Sequence, residues 1–236
     1  MNKNSYLFRE VTVAPAASTE WQVLLDGKPA KTPAGHLLTL PAKDLAERIA
    51  DEWRGGGNET RPGTMQFTRL ANTAIDRVAP NRRGAIDELL KCAGADLLCF
   101  RASAPNVLVE RQSAFWDPLL EWALGRYGIE LKVTCGITPM RQPPDELQTL
   151  ESFITQLDDF VLTGLVAAAS SLGSAILALA LYEERIDAEA AFAAAELDTT
   201  YQAEIWGKDP LMAVRDTKKG QEVSEIAQFF ELSGTF

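Results

Sequence analysis

FVLTGLVAAASSLGSAILALALY occupies residues 160–182 and carries no formal charge over 23 residues. Its reading decides the fold, because an apolar run of that length is enough to cross a bilayer. Its composition argues against a span. Thr163, Gly164, Ser170, Ser171, Gly173 and Ser174 dilute the run, and both flanks are acidic, Asp158-Asp159 before it and Glu183-Glu184 after it. Spanning helices carry their basic residues on the cytoplasmic side, and neither flank offers that asymmetry. The expected element is a buried central helix, or two helices broken near Ser170–Ser171, with small residues allowing close helix approach. No membrane insertion is expected; a membrane-associated helical protein built around residues 160–182 is the alternative reading.

Downstream, Asp187 is a plausible N-cap for an Ala-rich helix ending at Gly207, on which Leu197, Tyr201 and Ile205 share a core-facing side. Asp209-Pro210 opens the next helix, and Val223, Ile226, Ala227 and Phe230 mark a last short one. Upstream, Pro143-Pro144 begins a helix carrying Leu147, Leu150, Ile154 and Leu157. Ile86, Leu89, Leu90, Ala93 and Leu97 form an earlier helical stripe. Pro105 opens a helix that Gly128 closes, with Pro118 inside it as a kink or a second start. Ile129, Leu131 and Val133 alternate like a strand. The first forty residues read as β structure: Val11 and Val13 alternate, as do Trp21, Val23 and Leu25, with Asp26-Gly27 as a hairpin turn. One helix follows, marked by Leu45, Ile49 and Trp53 and stopped by Gly55-Gly56-Gly57. The fold class is α+β. Residues 1–78 form a β-rich N-terminal domain with one helix, and residues 79–236 a helical C-terminal domain.

Charge is distributed unevenly. Residues 1–144 hold 18 basic and 16 acidic side chains, whereas residues 145–236 hold 5 and 17. So acidic a surface repels phosphate backbones, and nucleic acid is not an expected partner. The acidic surface is either a solvated helical face or a protein-docking one. A single histidine, His36, removes mechanisms that need two imidazoles, and three cysteines without a CxxC pair form no disulfide framework. Cys92 and Cys99 read as small core residues.

Motifs for chemistry are missing. The chain has no GxxxxGK[ST] phosphate loop and no GxSxG nucleophile turn. Asp158-Asp159 and Glu183-Glu184 are the one enzymatic opening, a small carboxylate-dependent hydrolase with Mg²⁺. Neighbours on a helix, however, point about 100° apart and do not converge. Neither a cofactor nor a metal is expected. Trp116, Trp122, Tyr127, Tyr201 and Trp206 lie among charged residues, as core anchors or as the aromatic centres of a protein-binding surface.

Several longer motifs occur in a fixed order. Leu25-Asp26-Gly27-Lys28-Pro29 leads to Lys31-Thr32-Pro33, then Thr68-Arg69-Leu70-Ala71-Asn72-Thr73-Ala74-Ile75-Asp76. Leu108-Val109-Glu110-Arg111-Gln112 precedes Trp116-Asp117-Pro118-Leu119-Leu120-Glu121-Trp122-Ala123 and Arg126-Tyr127-Gly128. Leu197-Asp198, Tyr201-Gln202 and Trp206-Gly207 follow. The set, from about residue 8 to 210, resembles the F-type ATP synthase assembly chaperones that bind the alpha subunit of the catalytic head. The resemblance implies a β-rich domain followed by a helical one, no catalysis, and a monomer that masks the unassembled alpha subunit until the catalytic hexamer forms. It also implies a functional acid just before the Tyr-Gln pair, which Asp198 matches first and Glu196 second. The candidate partner-binding residues are Glu196, Asp198, Tyr201, Gln202 and Trp206. Residues 198, 202 and 206 form a stripe at helical spacing. The start of the chain does not read as a presequence, so a bacterial cytoplasmic member is expected, or the mature form of a mitochondrial one.

Overall fold

A computed structural model describes residues 8–16, 19–55, 65–136, 140–207 and 209–234. β1 (Val11–Pro15) pairs antiparallel with β2 (Trp21–Leu25), Val13 opposite Val23 and Val11 opposite Leu25. Asp26 and Gly27 then both take positive φ, 49° and 75°, the backbone that matches the twist of a tight hairpin. β3 (Lys28–Pro29) returns along β2, which also pairs with β4 (Thr39–Leu40). α1 (Lys43–Gly55) packs on β1 and β2 and buries Leu45, Ala46, Ile49 and Ala50. Trp53, one turn further on, is only half-buried. Gly55 ends the helix; Gly56 and Gly57 lie outside the described residues.

The N-terminal segment holds a second helix that the sequence did not signal. α2 (Gln66–Thr73) runs on into a π-helical turn, Ala74–Val78. Its start has no capping side chain of its own. Glu52 of α1 supplies the cap, accepting from Phe67 N at 2.9 Å and from Thr68 N and Oγ1 at 2.8 and 2.7 Å. A cap reached across 15 residues leaves no local signature.

The chain divides into two compact units. One comprises Met1–Arg82, Asp158–Gly164 and Gln228–Phe236, and the other Arg83–Leu157 and Leu165–Ala227. In the first, Val161, Leu162, Phe229 and Phe230 join the core, and Phe160 stacks on Phe229 at 6.3 Å. The second unit is mainly helical and includes most of α3 (Arg82–Gly94). α4 (Asn106–Tyr127) follows Pro105 and is closed by Gly128 at φ 72°. It passes Pro118 as one helix of 22 residues, with Leu108, Gln112, Trp116, Leu119 and Ala123 buried along one face.

The strand expected over Ile129–Val133 does not form. Ile129 and Leu131 are buried, but Val133 is exposed. The Gln142 side chain takes the place of a neighbouring strand there, accepting from Lys132 N at 2.8 Å and donating to Lys132 O at 2.9 Å. Ladder pairing is confined to β6 (Thr134–Cys135), parallel to β5 (Phe100–Arg101). α5 is Pro144–Ile154.

Residues 160–182 belong to two helices, α6 (Asp159–Leu172) and α7 (Ala175–Tyr182). Gly173 takes φ 70°, and Ser174 caps α7 by accepting from Leu177 N at 2.9 Å. Every residue of α7 is buried. Among the described residues no helix is long and apolar enough to cross a membrane. The single helix expected from Asp187 to Gly207 is also two. Asp187 caps α8 (Ala188–Ala195), Glu196 leaves helical geometry at φ −100° and ψ 14°, and α9 (Leu197–Trp206) follows. After Asp209, whose Oδ1 accepts from Leu211 N at 2.9 Å, α10 (Pro210–Leu232) is one long helix; the expected last short helix is its second half.

Candidate partner-binding site

α4 holds α8 and α9 through a series of side-chain bonds in the second unit. The Trp116 indole N–H donates to Ala194 O at 3.0 Å. One turn earlier, the buried Gln112 donates from Nε2 to Asp198 Oδ1 at 2.7 Å and accepts from Ala102 N at 2.8 Å through Oε1. Arg111 pairs with Glu204 at 2.7 Å and lies 5.5 Å over the Tyr201 ring. Positions fall along α4 as they rise along α8 and α9, so the pieces run antiparallel.

This register fixes where each candidate residue goes. Leu197 and Tyr201 are buried, as their spacing implies, whereas Ile205 is 52% exposed. The face that is inside at the start of α9 emerges one turn after Tyr201. Asp198 is half-buried and tied to Gln112. Gln202 is exposed and accepts from the Trp206 indole N–H at 3.1 Å, and Trp206 is 81% exposed. The 198–202–206 stripe therefore runs from a helix–helix bond to an open aromatic. Glu196 belongs elsewhere: it is 7% exposed and takes Arg215 at 3.0 Å and Lys219, both on α10. Gln112 was missed in the sequence. It stands inside the Leu108–Gln112 motif, but nothing in its spacing marks it as the partner of Asp198.

The other candidate groups are engaged structurally. In the first unit, Asp76 accepts from Thr32 Oγ1 at 2.6 Å and Ala34 N at 3.0 Å, with His36 Nδ1 at 2.9 Å. Burial raises the Asp76 carboxyl, and the bonds from Thr32, His36 and Ala34 outweigh it, leaving it below its ordinary value. Thr32 donates to the carboxylate and not to the imidazole, so the trio clamps a turn and does not activate a hydroxyl. Asp158 caps α6 through Phe160 N and Val161 N, while Asp159 pairs with Arg82. In the second unit Glu183 pairs with Arg126 at 2.8 Å, and Glu184 sits in the left-handed region at φ 52°. Burial pushes the Cys92 and Cys99 thiols up to about 12, which suits core residues and not nucleophiles. Among the described residues no group of three or more His, Cys, Asp or Glu side chains could hold a metal.

A family model described as the ATP12 chaperone protein matches residues 6–124. The chain belongs to the ATP12 chaperone family. The solved structure of Atp12 from Paracoccus denitrificans is 36% identical with a TM-score of 0.90, covering 96% of this chain and 97% of that one. An aspartate-to-lysine mutant of P. denitrificans Atp12p is 35% identical with a TM-score of 0.91, covering 97% of both chains. The mitochondrial protein atp12 of Schizosaccharomyces pombe is 24% identical over 212 residues, 85% of this chain and 73% of the relative. α9 lies beyond the residues matched by the ATP12 model.

Proposed function

We propose that this ATP12-family chaperone holds the unassembled alpha subunit of the F-type ATP synthase and releases it into the catalytic hexamer. It works as a cytoplasmic monomer, without catalysis. The observation that carries this reading is the likeness to Atp12 over nearly the whole chain, at 36% identity. A subunit surface destined for burial in an oligomer is large and partly apolar, and it aggregates when left open. The chaperone covers it reversibly, and a net charge of −10 keeps the complex soluble. The residues assigned to the client are Asp198, Tyr201, Gln202 and Trp206 of α9, with Glu196 anchoring the start of the helix to α10.

The test is capture of denatured and then diluted alpha subunit by the purified protein. Asp198→Lys sets an ammonium against the Gln112 amide N–H, donor against donor, and inverts the charge. Capture is expected to weaken by about thirtyfold, the equivalent of roughly 2 kcal/mol. Asp198→Asn keeps an acceptor for Gln112 and removes only the charge, so it separates contact with the client from support of α9. Circular dichroism of both variants is the folding control. Wild-type capture by a folded Asp198→Lys variant would remove this face from the assignment.

A further inference from the structure

Gln112 is 1% exposed, and an amide so deeply buried needs a partner at each end. The backbone decides which end goes where. Ala102 N–H, just past β5, can only donate, so it faces the Gln112 Oε1 at 2.8 Å. The Nε2 end is thereby turned toward α9, where it donates to Asp198 Oδ1 at 2.7 Å. A rigid chain of polarity thus runs from the backbone of residue 102 to the carboxylate of residue 198. Whatever stands at 198 must accept there.

The second oxygen of that carboxylate is in a different position. Asp198 Oδ2 has no partner among the described residues, and it is not among the enclosed unpartnered atoms either. Asp198 therefore presents one oxygen inward, bonded, and one outward, open. Gln112 is the side chain that sets this division, since no other described residue bonds the carboxylate. The placing of α9 itself does not rest on Gln112 alone. Arg111 pairs with Glu204 and lies over the Tyr201 ring, and Trp116 holds Ala194 O at the end of α8. A side chain fixed beforehand in its binding orientation pays its ordering cost before the partner arrives.

We infer that Gln112 is a positioning residue for client binding. Buried as it is, it does not touch the client; it holds the Asp198 carboxylate in one orientation, with Oδ2 toward a hydrogen-bond donor of the client. This rests on the reading of the protein as an alpha-subunit chaperone, and adds a residue of α4 to a site otherwise confined to residues 196–206.

The experiment is alpha-subunit capture by the full chain in a double-mutant cycle of Gln112→Met and Asp198→Asn. Methionine keeps the length and bulk of glutamine without its polar end. Asparagine at 198 keeps the acceptor for Gln112 and gives up the carboxylate. Gln112→Met should weaken capture by about tenfold in the wild-type background and by less than about twofold in the Asp198→Asn background. A Gln112 that merely supports α9 gives a different result: the bond persists in Asp198→Asn, so its loss costs the same in both backgrounds. Equal losses overturn the inference, as does wild-type capture by a folded Gln112→Met variant. Gln142→Met is the matched control, because Gln142 is another buried amide of the same unit, bonded to Lys132 N and O. It should lower stability in urea and leave capture unchanged; a loss equal to that of Gln112→Met means that capture follows stability, and overturns the inference. Circular dichroism checks the fold. If the methionine variant does not fold, Gln112→Asn, which keeps an amide one methylene shorter, goes through the same cycle with the same two outcomes. Absence of capture by the wild-type protein overturns the chaperone reading and the role of Gln112 with it, whereas equal losses across the cycle overturn the role of Gln112 alone.

Discussion

Asp96 is a carboxylate with no exposure to water, placed where two helical turns begin. Its Oδ1 accepts from Leu98 N at 3.0 Å, at the head of the short 3₁₀ turn Leu97–Cys99, and its Oδ2 accepts from Ile176 N at 3.1 Å, in the first turn of α7. Burial pushes its pKa up to about 6, although bonds from Ser174, Ile176 and Leu98 work against it. Between its unfolded value, near 4, and 6 the folded chain binds more of this proton than the unfolded chain does, so the contribution to stability falls as pH rises. That contribution is full below about pH 4 and is lost as pH climbs through 6. Asp96→Asn removes the titration. The stability difference between wild type and Asp96→Asn, measured by urea unfolding, should therefore move against the wild type from pH 4 to 6, by up to about 1.4 kcal/mol per pH unit. A difference that stays constant across that range would contradict the assignment. Asp96 was not legible in the sequence, since its bonds to Ser174 and Ile176 come from about 80 residues away and require the fold.

At the scale of elements, α6 shows why a rule about one residue type fails in context. Glycine in a helix interior ordinarily costs about 1 kcal/mol relative to alanine. At Gly164, however, an added Cβ would overlap the Phe230 ring of α10. Gly164→Ala is therefore expected to destabilise the protein by about 1–3 kcal/mol in chemical unfolding, against the propensity. A stabilised variant would mean that the ring moves aside at no cost. The same distinction between local and tertiary causes sorts what the sequence disclosed. At 160–182 two helices were one of two readings, and the break falls at Gly173–Ser174, not at Ser170–Ser171, which lie inside α6. The β1 and β2 strands, the Asp26-Gly27 turn and the Pro105 and Gly128 limits of α4 rest on neighbouring residues, and all were readable. The cap of α2 by Glu52, the strand replaced by Gln142, and the break at Glu196 rest on distant partners, and none was. The candidate site divides the same way. Helical spacing gave the 198–202–206 stripe, but the Gln112 bond and the emergence of Ile205 into solvent depend on how far α4 extends over α9.

For the whole molecule the decisive fact is the path of the chain. The first unit is not closed by the N-terminal residues alone: it also takes Asp158–Gly164 and Gln228–Phe236. Those last residues bring in Phe229 and Phe230, both at most 2% exposed, with Phe229 stacked on Phe160 and Phe230 against Gly164. Ser233 Oγ donates to Phe229 O at 2.6 Å and fastens the end of α10. Removing one buried phenylalanine side chain costs about 3–5 kcal/mol, and a domain has only about 5–15 kcal/mol in total. Truncation after Ala227 removes both rings and leaves Val161, Leu162 and the N-terminal core without their cover. The expected outcome is selective. Hydrogen exchange should show amides of β1, β2 and α1 losing protection by orders of magnitude, because that unit's stability is nearly exhausted. Amides of α4 and α7 should keep theirs, since their cores are built from residues the truncation leaves in place. Protection kept throughout the truncated chain would show that the N-terminal unit closes without the end of α10. Protection lost throughout would show that the two units unfold as one.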